Sequence, residues 1–122
     1  VPLIEEGWLD HSVTAKVLDE YLQPMLNEEV DTLVLACTHY PLLLPLLQSL
    51  YHRRLQLIDS ASTCARQVAS LLDMNGLRSN QPAAESSLRL CLTDDVDSSR
   101  LLIDRFLGEI MHTLEQVRVE DL

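Results

Sequence analysis

The chain has 122 residues, 47% of them hydrophobic and 23% charged, enough for one ordinary domain with an apolar core. Nine Lys plus Arg stand against nineteen Asp plus Glu, a formal net charge of −10, which argues against nucleic acid as a partner because phosphate binding needs clustered cations. The three cysteines, Cys37, Cys64 and Cys91, form no CxxC and are odd in number; this argues against a disulfide framework or a zinc site and points to a reducing, cytoplasmic compartment, while no apolar stretch reaches the ~18 residues of a membrane span.

Val1-Pro2-Leu3-Ile4 reads as the middle of a longer polypeptide, so the chain is expected to be a fragment. Val13, Val17, Leu18, Tyr21, Leu22, Met25 and Leu26 recur at helical spacing. Ser12 is the expected N-cap, with His11 as the alternative. Pro24 should end or kink that helix near its last turn. The all-apolar run Leu33 to Ala36 predicts a strand buried on both faces, hence a parallel sheet. Thr38-His39-Tyr40-Pro41 is a turn, and Pro41 suits the first position of the next helix. Leu42, Leu43, Leu46, Leu47 and Leu50 give that helix its apolar face, with Pro45 delaying its regular start by a turn.

Arg53-Arg54, the only basic pair, reads as a solvated helix end. Leu55, Leu57 and Ile58 predict a second strand. Asp59-Ser60-Ala61-Ser62 is rich in capping residues and opens a helix carrying Ala65, Val68, Leu71 and Leu72, which Asn75-Gly76 closes. Residues 79–87 form a loop, and Leu88 to Leu92 a third strand. Asp97 or Ser98 caps a last helix that ends near Gly108, and Val117 with Val119 hint at a terminal strand. Helices and strands alternate throughout, the pattern of an α/β fold with a mainly parallel sheet, a three-layer sandwich.

In such folds ligands sit where strands hand over to helices. Cys37, Thr38 and His39 occupy that position. In an extended segment residues two apart point the same way, so Cys37 and His39 could face one pocket. The N–H groups of the following helix and an imidazolium neighbour would both favour a thiolate. The plain alternative for Cys37 is a small buried core residue, and for His39 a capping or loop histidine. Cys64 and Cys91 read as core residues. Glu5-Glu6 reads as surface, Trp8 as core or a pocket wall, and His11, His52 and His112 show no metal spacing.

The run Asp31-Thr32-Leu33-Val34-Leu35-Ala36-Cys37-Thr38-His39-Tyr40-Pro41-Leu42-Leu43 closely resembles the second cysteine motif of glutamate racemases, roughly D-T-L-hydrophobic-L-G-C-T-H-Y-P-L-L. Its main departure is Ala36 in place of glycine. Pro2-Leu3-Ile4-Glu5-Glu6-Gly7, Ile58-Asp59-Ser60-Ala61, Leu92-Thr93-Asp94-Asp95 and Phe106-Leu107-Gly108 look like further segments of that family, in the same order. The central motif is specific; the flanking ones are weak singly and useful together.

The resemblance implies a two-lobed, pseudo-symmetric racemase, with residues 1–58 in the second lobe and 59–122 returning to the first. It implies Cys37 as one of two catalytic thiols, His39 and Glu5 as its helpers, with Glu6 the second-choice register, and Thr38 as a substrate-carboxylate ligand. It implies no pyridoxal phosphate and no metal. The substrate would be glutamate, interconverted between enantiomers to supply D-glutamate for peptidoglycan. No nucleic acid or membrane partner is expected, and the full-length parent should be a homo-oligomer. The family's other cysteine motif, of the A-C-N-T-A type, does not occur in these 122 residues; the chain alone is therefore expected to be inactive, and its lobe interface to make it self-associate. An aspartate or related amino-acid racemase, or a non-catalytic binding relative of the same fold, is the alternative.

Overall fold

The structure, a computed structural model, describes residues 1–80, 82, 87–108, 110–118 and 120. In chain order the elements are α1 (Pro2–Glu5), α2 (Ser12–Asn27), β1 (Thr32–Leu35), a 3-10 turn (Tyr40–Leu43), α3 (Leu44–Tyr51), β2 (Gln56–Asp59), α4 (Ser60–Met74), β3 (Leu88–Leu92), α5 (Val96–Leu107) and β4 (His112–Gln116). β1 pairs in parallel with β2, Thr32 opposite Gln56 through Leu35 opposite Asp59. β3 pairs in parallel with β4, Leu88 opposite His112 through Leu92 opposite Gln116. Each pair is joined through a helix, as parallel strands require. The expected α/β class with parallel strands is what the chain adopts. It divides into two compact units, Val1–Arg78 and Ser79–Leu122.

The first unit has its core where α1, α2, α3 and the first sheet meet: Ile4, Leu22, Leu26, Leu35, Leu43, Leu47, Tyr51 and Leu55 are all buried. The apolar residues of α2 split into two stripes. Leu18, Leu22 and Leu26, four apart, pack on the core, whereas Val13, Val17, Tyr21 and Met25, also four apart, are exposed. Pro24 sits one turn from the end of α2, as expected. Its N-cap is the alternative, His11, whose Nδ1 accepts from Val13 N–H at 3.1 Å. Imidazole nitrogen replaces the usual hydroxyl there because the ring can reach back over the first turn.

Several expectations are corrected. β1 is buried on one face only: Leu35 is buried, and Val34, pointing the other way, is 58% exposed. Cys64 is exposed, because α4 buries none of its residues. Cys91 is exposed because β3 alternates, with Leu88, Leu90 and Leu92 on the half-buried face and Arg89 and Cys91 on the other. Trp8 is not core; its exposed ring lies against that of His11, tilted by 34°, at a centroid distance of 4.5 Å. The N-cap of α5 is Asp95, accepting from Ser98 N–H at 2.8 Å, rather than Asp97 or Ser98. The last strand precedes Val117, and Val119 lies outside the described residues, as do residues 81 and 83–86 of the expected loop.

Asp59 caps α4 through Ser62 N–H at 2.7 Å, and Asn75-Gly76 closes it, both as expected. The 3-10 turn with Pro41, followed by α3 with Pro45 in its first turn, bears out the delayed helix start. Arg53 and Arg54 are exposed.

Candidate active site

The segment Ala36–His39 leaves the C-terminal end of β1, where the strand hands over to the 3-10 turn. Ala36 N–H bonds back to Val34 O at 3.1 Å. Glu29 is the only described residue other than glycine with positive φ, so Ala36 keeps an ordinary backbone and alanine is tolerated where the family's motif has glycine.

Cys37 and His39 are half-buried and Thr38 between them is exposed. The extended geometry expected for this tripeptide is not what forms. His39 has φ −83° and ψ −29°, a helical value, because Tyr40 N–H turns back onto Cys37 O at 3.3 Å and Leu42 N–H onto His39 O at 3.1 Å. The second of these bonds uses the N–H of Leu42, one of the groups after Pro41 that were expected to stand free.

Glu5 and His39, far apart in sequence, come together. Glu5 Oε1 lies 3.3 Å from His39 Nε2, with the imidazole 21% exposed and the carboxylate 51%. Ile4, 2% exposed, anchors the short helix that carries Glu5 into the core of the first unit. On the other side of the ring, Thr38 Oγ1 lies 3.1 Å from His39 Nδ1. Glu5, His39 and Thr38 thus form one polar chain beside Cys37. Glu6, the second register, is exposed at the C-cap of α1 and hydrogen-bonds there through its backbone.

Ser60 Oγ donates to Leu35 O at 3.3 Å, tying the first turn of α4 to the end of β1, immediately before the Cys37 segment. The sequence marked Ser60 only as part of a capping turn. Nothing local signals this cross-link, because it depends on the parallel register that sets Leu35 beside Asp59.

The apolar cavity of the first unit, about 310 Å³, is lined by Ile4, Leu18, Leu22, Leu33, Leu47 and neighbours. From the 3-10 turn it takes Tyr40 and Leu43, and its lining includes none of Glu5, Cys37, Thr38 and His39. Among the described residues no three His, Cys, Asp or Glu side chains converge as metal ligands, and no helix is long and apolar enough to cross a membrane.

In the second unit His112 stands between two acceptors, Asp104 Oδ1 at 3.1 Å from Nε2 and Ile110 O at 2.8 Å from Nδ1. This pins the start of β4 to α5.

No protein-family model matches the chain. Glutamate racemase of Syntrophus aciditrophicus is 44% identical over 119 residues, 98% of this chain and 44% of that protein. Glutamate racemase of Neisseria meningitidis serogroup C is 44% identical over 117 residues, 96% of this chain and 43% of that protein. Among solved structures, the glutamate racemase of Thermus thermophilus in complex with beta-chloro-D-alanine superposes with a TM-score of 0.83 at 32% identity, over 100% of this chain and 46% of that one. That of Francisella tularensis in complex with D-glutamate gives 0.81 at 28% identity, over 100% and 45%. The chain spans less than half the length of these relatives, and over nearly all of its own length it is similar, in sequence and in fold, to one part of glutamate racemases, which are amino-acid isomerases.

Proposed function

We propose that this chain supplies one of the two acid/base faces of a cofactor-independent glutamate racemase, with Cys37 as its thiol. Inverting an α-carbon requires a proton to leave one face and another to arrive on the opposite face. In the direction that starts from L-glutamate, the Cys37 thiolate takes the α-proton and becomes a thiol. A second thiol, outside these 122 residues, gives a proton to the other face and becomes a thiolate. The carbanion-like transition state is stabilised by fixed dipoles in a water-poor site. His39, oriented by Glu5, assists proton transfer at Cys37, and Thr38 holds a substrate carboxylate. Neither pyridoxal phosphate nor a metal is required.

The observation that carries this reading is the meeting of Glu5 with His39 at 3.3 Å in the turn that also holds Cys37. A turn with a merely structural cysteine has no need of a carboxylate–imidazole pair brought from a distant segment. The similarity to glutamate racemases supports the choice of substrate. In the same reading residues 1–58 and 59–122 belong to two lobes, the enzyme is a cytoplasmic homo-oligomer, and its D-glutamate feeds peptidoglycan synthesis.

The test is D-glutamate formation from L-glutamate, without cofactor, by the polypeptide that carries this segment together with the second thiol. Cys37→Ser should lower the rate by at least about a hundredfold, the scale of a lost acid/base group. The 122-residue chain alone should form none. Activity that survives Cys37→Ser would remove Cys37 from the mechanism. Turnover of aspartate but not glutamate would move the reading to a related racemase, and turnover of neither to a binding relative.

A further inference from the structure

A peptide unit is planar, so a hydrogen bond to its carbonyl also fixes the N–H on its other side. The unit between Leu35 and Ala36, one residue before Cys37, is held at both ends. Its N–H bonds to Val34 O at 3.1 Å, and its C=O accepts from Ser60 Oγ at 3.3 Å. On the far side of the cysteine, Tyr40 N–H bonds to Cys37 O at 3.3 Å. Cys37 thus stands between two backbone anchors, of which only the upstream one depends on a side chain, that of Ser60.

The parallel register puts Ser60 there. Donors on one strand of a parallel pair recur at every second residue. Gln56 N–H bonds to Asp31 O at 2.7 Å, so the count runs through residues 58 and 33 to residues 60 and 35. At that point β2 has given way to α4, and a hydroxyl reaches the carbonyl. The helix start that carries it is itself braced: Asp59 accepts from Ser62 N–H at 2.7 Å, and Thr63 Oγ1 donates to Asp59 O at 2.9 Å.

We propose that Ser60 is a positioning residue for Cys37: its hydroxyl fixes the Leu35–Ala36 peptide and so sets where the thiol stands at the exit of β1. The inference rests on the reading of Cys37 as the base that works on L-glutamate. Leu35 is 4% exposed in the first core, so the strand stays in place when the hydroxyl is removed, and what loosens is the short segment from the Leu35 carbonyl to Cys37. Ser60 itself is exposed at the start of a helix, where alanine and threonine both fit.

The local arm of the test needs no turnover. Amide hydrogen exchange of the 122-residue chain should show the Ala36 N–H exchanging about fivefold faster in Ser60→Ala, the scale of one lost hydrogen bond. The Leu47 amide, in the same core, should keep its rate, and Ser60→Thr, which retains a hydroxyl, should keep both. An Ala36 rate unchanged in Ser60→Ala, or not restored in Ser60→Thr, would overturn the proposal.

The catalytic arm is read in the full racemase. Ser60→Ala should lower kcat about tenfold with KM within about twofold, a part of the roughly hundredfold that a misplacement of about 1 Å can cost, and Ser60→Thr should restore kcat. Enantiomers have equal free energies in water, so kcat/KM must fall equally in both directions, and the face affected is read from isotope effects. In Ser60→Ala the slowed step is proton transfer at Cys37. With α-deuterated L-glutamate Cys37 takes the deuteron, and the isotope effect should rise. With α-deuterated D-glutamate the other thiol takes the deuteron and Cys37 delivers a solvent proton, so the isotope effect should fall. These ratios do not depend on the fraction of enzyme that folds. An unchanged kcat, or isotope effects that move alike in the two directions, would sink this inference alone, whereas a parent that forms no D-glutamate sinks the racemase reading and the role of Ser60 with it.

Discussion

Glu29 is the residue whose replacement should stabilise the chain most simply. It is the only described residue other than glycine with positive φ, at 58°, and it follows the C-cap of α2, Glu28. Its N–H bonds to Leu26 O at 3.3 Å and the next N–H, of Val30, to Met25 O at 3.2 Å. This is the two-bond closure that asks for a left-handed residue after the cap. α4 ends in the same way, with Gly76 at φ 65°, Gly76 N–H on Asp73 O at 3.1 Å and Leu77 N–H on Leu72 O at 2.8 Å. The two motifs differ in that one uses glycine and the other glutamate. A left-handed side-chain residue costs about 1–2 kcal/mol, and glycine returns about 0.5–1 kcal/mol of this through its larger unfolded-state entropy. Glu29→Gly should therefore gain about 0.5–1 kcal/mol, roughly 2–8 °C in Tm for a unit of this size. Urea unfolding followed by far-UV circular dichroism should move the midpoint up at constant slope. Glu29→Gln separates charge from backbone: it removes a carboxylate from a helix C-terminus but keeps the strained φ, so it should recover only a minor part of the gain. Gly76→Ala is the reverse experiment. A Cβ there meets nothing within 4 Å, so its loss of about 1 kcal/mol would come from φ alone. No gain in Glu29→Gly, or an equal gain in Glu29→Gln, would refute the conformational argument.

Tyr51 is pushed up to about 12 by burial and then by its hydrogen bond to Asp19 (2.8 Å). A raised folded value stabilises below the ordinary tyrosine range and is lost as pH climbs towards 12, so alkaline absorbance titration should show a late tyrosinate phase that Tyr51→Phe removes. Asp59 is held below the ordinary carboxylate value, chiefly by the Ser62 N–H it caps. Its contribution is present above that ordinary value and lost as pH falls through the folded one. Asp59→Asn, still a good cap, should flatten the acid limb of the stability curve while changing little at neutral pH. Leu47, 1% exposed in the first core, should cost about 2–5 kcal/mol as Leu47→Ala, a large share of a small unit's stability and visible as a collapse of the urea midpoint. The stripe Val17, Tyr21 and Met25 with Val34 leaves apolar surface open around the first unit's cavity; light scattering should find the 122-residue chain self-associating, and a clean monomer at high concentration would count against this.

Much of the architecture was legible because the signals were local. Apolar period, Asp59 as a cap, Pro41 and Pro45 in first turns and Gly76 at a helix end each act within one turn of chain, so they survive without knowledge of what packs on them. The Cys37-Thr38-His39 run was legible for another reason: a strand end running into a helix start is a place where chemistry collects, and its motif is specific.

What the sequence by itself determined is most of the elements, though neither α1 nor the bounds of β4, their parallel α/β class and the residue types at the turn. Tertiary structure alone decided burial and partnership. Val34, Cys64 and Cys91 have core-like chemistry, yet each is exposed, because burial depends on which neighbour covers a face and not on the residue that presents it. His11 displaced Ser12 as a cap, and Asp95 displaced Asp97, because capping depends on where the backbone first becomes helical. Glu5 was matched to His39 by resemblance, but their 3.3 Å contact exists only because α1 and the turn after β1 join the same core. Sequence chooses the groups that can react; the fold, through contacts between distant segments, chooses which of them meet.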